Sequence, residues 1–329
     1  MACREEASQS GAEMSSDLTV VICSHLYSRR QQLIGAVESA ERQSTPPAAI
    51  VVVIDGDGDL GEFASQILGK RCTVIVRKSR GGLSAARNSG LEAVATTFVS
   101  FLDDDAVADT RWLEELRAHL GDEILGVGGR SLPAWEVPPR GFPKELLWVV
   151  GCSYQGLPSE VSTVRNVFGG CALYRTELFR QLGGFDIELG RQPSGAGGCE
   201  ETEFCMRANQ AYPSGRFLYV PSAIIYHAVP AARSTMRYVI RRSAGEGTSK
   251  ARLRAQIHER KALAAESEYI WHTIVGGLGQ RIRQAARGDV TAVIAATMII
   301  VSVLTAALSY AVTSVNLQIR QLFRIGQLT

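Results

Sequence analysis

Charge of one sign is not in excess in this chain. Its 35 Lys and Arg stand against 33 Asp and Glu, which removes any chain-wide electrostatic case for binding nucleic acid. The seven cysteines, Cys3, Cys23, Cys72, Cys152, Cys171, Cys199 and Cys205, form no CxxC pair and no zinc-knuckle spacing, so they read as reduced, mostly buried thiols. The first seventeen residues hold no apolar run; no secretory signal is expected there, and the chemistry should face the cytoplasm. Nor does 329 residues call for disulfides or metals merely to stay folded: the length suits one large domain plus a short accessory region.

What is present is a succession of short, continuous apolar runs. LTVVICS from Leu18, AIVVVI over 49–54, CTVIV over 72–76 and TFVSFL over 97–102 alternate with helix-like stretches, QQLIGAVESAER, LSAARNSGLEAV and DTRWLEELRAHL, the last expected to start near Asp109. Such alternation predicts an α/β fold, a mostly parallel sheet covered by helices. Polar clusters follow three of the four runs, at the strand ends where open sheets bind ligands. Any one cluster taken alone reads equally well as a βα turn.

Asp103-Asp104-Asp105 is the strongest local signal. Three carboxylates crowded after a buried strand repel one another unless a cation or donors compensate them, and hard carboxylate oxygens suit Mg²⁺ or Mn²⁺. An acidic turn capping the next helix is the plainer reading, most apt for Asp104. Gly81-Gly82 with Arg87 could approach a phosphate, yet that stretch fits neither GxGxxG nor a P-loop. Cys199-Glu200-Glu201-Thr202-Glu203 places three acids at a helix start; they serve as dipole partners, or one is a general base whose pKa the others raise. His227 ends the run VPSAIIYH as either a core histidine or a metal ligand.

From 232 to 261 nine Lys or Arg accompany two Glu. Residues 290–319 carry no charge, enough for the ~20 residues of a spanning helix. Arg281, Arg283 and Arg287 before it favour a cytoplasmic N-terminal side, an asymmetry weakened by Arg320 and Arg324. The weaker segment 270–279 suits the interface.

Taken as a set, these motifs resemble inverting glycosyltransferase family 2, of GT-A fold, in a membrane-anchored bacterial form, over roughly 18–250. The carriers are the polar turn CSHLYSRR, the strand-end Asp55, Gly82-Leu83-Ser84-Ala85-Ala86-Arg87-Asn88-Ser89-Gly90, FLDDD, GGCALYRTELFRQLGGFD, and Glu200-Glu201-Thr202-Glu203-Phe204-Cys205-Met206-Arg207. The resemblance implies a nucleotide-diphosphate sugar donor and Mg²⁺ or Mn²⁺. It gives Asp55, Arg87, Asp103 and Asp104 to the donor, Asp105 and His227 to the metal, Glu201 to the catalytic base with Glu203 in reserve, and Arg241 and Arg242 to the diphosphate. Glu in place of the family's usual Asp shifts the base by roughly an ångström.

The implied organisation is a polar tail 1–17, a donor half 18–125, an acceptor and catalytic half 126–250, a basic juxtamembrane region 251–289, a transmembrane helix 290–312 and a tail 313–329. The expected reaction moves a sugar to a hydroxyl of a lipid-linked or envelope glycan acceptor at the inner or plasma membrane, with membrane lipid as a partner and homo-oligomerisation left open. A polyprenyl-phosphate sugar synthase and an inactive nucleotide-sugar-binding protein are the alternatives. A polysaccharide synthase is disfavoured, because spanning segments are too few and a QxxRW-type motif is lacking.

Overall fold

The computed structural model describes residues 17–191, 197–257 and 274–325. The expected polar tail, part of the basic juxtamembrane region, the start of the 270–279 segment and the last four residues lie outside them. Two compact units emerge. The first comprises Met1–Leu132, Pro158–Pro193 and Glu200–His227, and the second Pro133–Leu157, Ser194–Cys199 and Ala228–Thr329. Later strands join the sheet begun by the earlier ones, so residues on both sides of 125 belong to the first unit.

In the first unit, β1 (Leu18–Ser24), β2 (Ala49–Asp55), β3 (Thr73–Arg77) and β4 (Phe98–Asp103) match the four apolar runs. They pair in parallel in the order β3-β2-β1-β4. Beyond β4 the sheet continues through β8 (Cys171–Arg175), β6 (Ile124–Trp135), β9 (Arg216–Val229) and β5 (Ala106–Ala108). Here the β4–β8, β6–β8 and β5–β9 pairs are antiparallel, and β7 (Ser162–Val164) pairs antiparallel with β9.

Period-two alternation sends the two halves of each parallel strand to opposite cores. Val20, Ile22, Val52 and Ile54 pack with α1 (Arg30–Glu41), α2 (Gly58–Leu68) and α4 (Trp112–Arg117) through Leu33, Val37, Leu60, Leu68 and Trp112. Val21, Val51, Val53 and Phe101 face α3 (Leu83–Glu92), α5 (Thr176–Leu182) and α6 (Glu200–Ala211) through Ala86, Phe179 and Phe204. Phe204 stacks on Phe179 with centroids 4.1 Å apart. Burying an aromatic ring of this size contributes about 1.5–3 kcal/mol, enough to pin the first turn of α6 against the sheet.

The helix expected near Asp109 begins at Trp112 instead. Ala106–Ala108 is drawn into the sheet by β9, and the Asp109 carboxylate accepts from Arg111 N at 3.1 Å before the helix starts.

In the second unit, α7 (Met236–Gln256), α8 (Gly276–Ala285) and α9 (Val290–Ile325) gather with the 3-10 turn Lys144–Val150 around Leu146, Val149, Val239, Ile274, Met298 and Ile299. α9 is the helix among the described residues that is long and apolar enough to cross a membrane. It continues past the expected end at 312, because residues 313–325 contain neither Gly nor Pro to stop it.

Candidate active site

Parallel register lines up the ends of β1, β2 and β4, so that Ser24, Asp55 and Asp103 share one edge of the sheet. Asp55 is buried. Its carboxylate accepts from Gly81 N at 2.9 Å and Gly82 N at 2.8 Å, and Arg77 Nε lies 3.0 Å away. The strand-end aspartate thus fixes the loop that leads into α3. Gly56, at φ +74°, lets that loop pass, for a methyl there would overlap the Arg80 backbone.

The three adjacent aspartates are compensated from two sides. Asp104 is buried; it accepts from Ser24 Oγ at 2.5 Å and from Arg29 Nη1 at 2.9 Å. It is therefore not the exposed helix cap that one reading of the sequence allowed. Burial and the neighbouring Asp105 push its pKa up, and Arg29 pulls against them. Arg29 Nη1 also reaches Asp105 at 3.2 Å. Of the two arginines in CSHLYSRR, Arg29 turns inward, and Arg30 lies over the Tyr27 ring.

Pairing of Ala106 with His227 in the β5–β9 ladder brings the histidine to the strand-end acids. His227 Nε2 is 3.2 Å from Asp105 Oδ1, both side chains being buried. Asp103, Asp105 and His227 each offer one ligand atom, all within 4.8 Å of one another. Atoms bound to one octahedral ion at ~2.1 Å lie roughly 3 to 4 Å apart, so a slight contraction would suffice. Two hard oxygens and one imidazole fit Mg²⁺ or Mn²⁺ better than a thiolate-loving metal. Asp103, expected at the nucleoside, joins the two expected metal ligands. Gly170 makes room for it, because a methyl there would overlap the Asp103 carboxylate.

Arg87, expected at a phosphate, is buried at 3% exposure and used internally. It pairs with Glu200 at 3.0 Å and Asp103 at 3.5 Å, and lies over Phe101 and Phe185. One guanidinium thereby links the strand-end acids to the first turn of α6.

That turn holds three acids in three different situations. Glu200 is buried against Arg87. Glu203 is held by Arg207 through two 2.7 Å bonds, and Arg207 also donates to the Leu182 carbonyl at 2.6 Å and the Gly184 carbonyl at 2.9 Å. Glu201 Oε1 lies 3.5 Å from Gly169 N, a long contact, and Glu201 Oε2, like Glu200 Oε2, is a buried atom without a geometric hydrogen-bond partner among the described residues. Burial, followed by the charge of Glu200, pushes the Glu201 pKa up to about 8, with Arg87 pulling it down.

Near the ends of β1 and β3 the balance is reversed. His25 is pushed down to about 4 by burial and by the positive charges of Arg80, Arg29 and Arg191, which make this region suited to an anion. Arg29 and Arg80 are visible in the sequence as basic residues after strands; Arg191 has no such signal. Arg241 and Arg242 lie on α7 of the second unit, where Arg241 sits over Tyr238 and Arg242 donates to the Gly197 carbonyl at 3.3 Å.

Comparison with known proteins places this geometry. The profile of Glycosyl transferase family 2 matches residues 19–183. The chain is 28% identical over 238 residues to a glucosyl-dolichyl phosphate glucuronosyltransferase of Haloferax volcanii, covering 71% of this chain and 76% of that one. It is 31% identical over 209 residues to a pre-mycofactocin glycosyltransferase of Mycobacterium tuberculosis, covering 62% of this chain but only 42% of that one. In fold it is similar to a mannosyltransferase from Pyrobaculum calidifontis solved with GDP-Man and Mn²⁺. The TM-score is 0.59 at 15% identity, with 90% of this chain and 87% of that one covered. A GT-A-like sheet ending in clustered carboxylates and a profile match over half the length lead to one conclusion: the chain belongs to glycosyltransferase family 2 and is a transferase that uses a nucleotide-sugar donor.

Proposed function

We propose that the chain is a metal-assisted inverting glycosyltransferase that moves a sugar from a nucleoside diphosphate to a hydroxyl of a lipid-linked glycan at a membrane surface. The observation that carries this reading is the contrast between Glu201, short of hydrogen-bond partners and with a raised pKa, and the Asp103, Asp105 and His227 cluster, linked to the same helix through Arg87.

Asp103, Asp105 and His227 would hold Mg²⁺ or Mn²⁺, which supplies charge neutralisation to a departing diphosphate. Arg29, Arg80 and Arg191 add positive charge to the donor side of the same unit. Glu201 takes the proton from the acceptor hydroxyl as that oxygen attacks the anomeric carbon from the face opposite the diphosphate. A single displacement of this kind inverts the anomeric centre. Asp55 and Asp104 act by shaping the loops that carry the donor, and Arg87 positions Asp103 and Glu200. Arg241 and Arg242 are the candidates for a second grip on the diphosphate.

A lipid-linked acceptor is supported by two features. The Haloferax relative bears in its name a sugar already carried on dolichyl phosphate, and α9 offers an apolar surface long enough to engage a membrane.

The test is a donor screen on the detergent-solubilised chain with UDP-, GDP- and dTDP-sugars, adding Mn²⁺, Mg²⁺ or chelator and membrane lipid extract. Metal-dependent diphosphate release that requires the extract is expected. Release unaffected by chelator would overturn the metal assignment. A polyprenyl-phosphate acceptor needs no strong base, so transfer that survives both Glu201→Gln and Glu203→Gln would favour that reading instead.

A further inference from the structure

The second unit pairs an apolar helix with a charged one. α7 and α9 run side by side in the same direction. Val239 packs with Met298 and Ile299, Ser243 Oγ lies 2.8 Å from Ser302 Oγ, and Thr248 meets Thr313 at 3.4 Å. At Gly247 the backbones approach so closely that a methyl would overlap the Ala306 carbonyl. Small residues on both helices create this seam.

The opposite side of α9 is bare. Val293, Ile300, Leu304, Leu308 and Val315 are exposed, Leu304 and Leu308 at 64% and 67%. Buried Ala292, Ala295, Met298, Ile299 and Ser302 mark the α7 side. At 100° per residue the exposed set lies about half a turn from the seam. The result is one continuous uncharged face with α7 directly behind it.

Three observations decide how that face meets a bilayer. First, α7 carries Arg237, Arg241, Arg242, Lys250, Arg252 and Arg254 against Glu246 alone, and it lies beside residues 298–313, the middle of the charge-free stretch. If α9 crossed the membrane, this paired helix would take its charges into hydrocarbon. Second, α9 has 36 residues, about 54 Å at 1.5 Å per residue, against a hydrocarbon core of ~30 Å. Third, arginines flank the stretch at both ends, Arg283 and Arg287 before it and Arg320 after it. Basic residues mark the cytoplasmic side, so both ends belong in one compartment.

We infer that α9 lies in the plane of the membrane, its Leu304 face sunk among the acyl chains of an anionic leaflet, with α7 on the water side and both helix ends on the same face of the bilayer. The arginines at the two ends of the stretch meet anionic headgroups, and the bare face meets lipid. The spanning helix read from hydropathy is the competing arrangement, which the test below separates from this one. It rests on the membrane-associated reading of the function. In this arrangement the catalytic chain is tied to a single leaflet, the place where a lipid-linked acceptor presents its glycan.

The test uses Val293→Cys, Leu304→Cys and Val315→Cys, three positions eleven residues apart that fall on nearly one line of the helix. Each full-length variant is nitroxide-labelled and bound to phosphatidylcholine–phosphatidylglycerol vesicles, with the unsubstituted chain labelled alongside to subtract native thiols. Depth is read from relaxation by oxygen against a water-soluble nickel chelate. Ile300→Cys and Leu308→Cys, on the same face, replace any variant that does not fold. Equal acyl-level depths at all three positions are expected. A Leu304 site about 16 Å deeper than the other two, from the helical rise, would overturn the in-plane arrangement while leaving membrane association intact. Labels that stay in water, or that are shielded from both relaxants by a second copy of the chain, would overturn the membrane reading itself.

Discussion

The two acidic clusters of the first unit look alike in sequence and differ in what surrounds them. Each has three carboxylates; the first gives one to structure, Asp104 to Ser24 and Arg29, and the second gives two, Glu200 to Arg87 and Glu203 to Arg207. The difference lies in the remainder. Asp103 and Asp105 converge with an imidazole and lie beside Arg87 and Arg29, a donor set suited to a hard cation. Glu201 is half-buried beside another carboxylate, with one oxygen unpartnered among the described residues and its pKa raised to about 8, which fits it to take up a proton. In the proposed assignment, compensation rather than the number of acids separates the metal site from the base.

The sharpest way to break this contrast is Asp105→Ala. Loss of transfer on the order of 10³-fold is expected, with metal dependence lost together with activity, measured as diphosphate release against Mn²⁺ concentration. Next is Glu201→Gln, which preserves shape and removes the base; kcat should fall on the order of 10²-fold with KM for the donor little changed. The pH profile sharpens the assignment. A base must be deprotonated to act, so with a pKa of about 8 the rate should rise with pH, roughly tenfold per unit below that value, and level off above it; a profile already flat at pH 6 contradicts the role. The smallest effect is predicted for Glu203→Gln. Its side chain is only 12% exposed and doubly bonded to Arg207, so a modestly lower Tm is expected, with kcat retained within about threefold.

The parallel half of the fold is legible because buried parallel strands are continuous apolar runs, which β1, β2, β3 and β4 are. β5 is not legible, since three residues of Ala-Val-Ala have no identity until β9 pairs with them; yet that pairing is what delivers His227. The candidate site follows the same division. Asp103, Asp105 and His227 stand out by residue type and order and Glu201 only through the family resemblance, whereas the roles of Arg29 and Arg87 depend on partners distant in sequence. Arg87 suits a phosphate as a lone cation after two glycines, but Glu200, 113 positions away, claims it.

Spacing alone can also mislead. Gly56-Asp57-Gly58-Asp59-Leu60-Gly61 spells GxGxxG after a strand. In the structure the Asp57 carboxylate accepts from Leu60 N at 2.9 Å, filling the helix terminus where a pyrophosphate would sit.

The most direct test of the central claim is Mn²⁺ binding, followed by electron paramagnetic resonance in the presence of nucleoside diphosphate, on Asp105→Asn and Glu201→Gln side by side. The account predicts that Glu201→Gln binds Mn²⁺ as the unsubstituted chain does while failing to transfer, and that Asp105→Asn loses the ion. Loss of Mn²⁺ from Glu201→Gln, or its full retention by Asp105→Asn, would contradict the division of the two clusters into a cation site and a proton site.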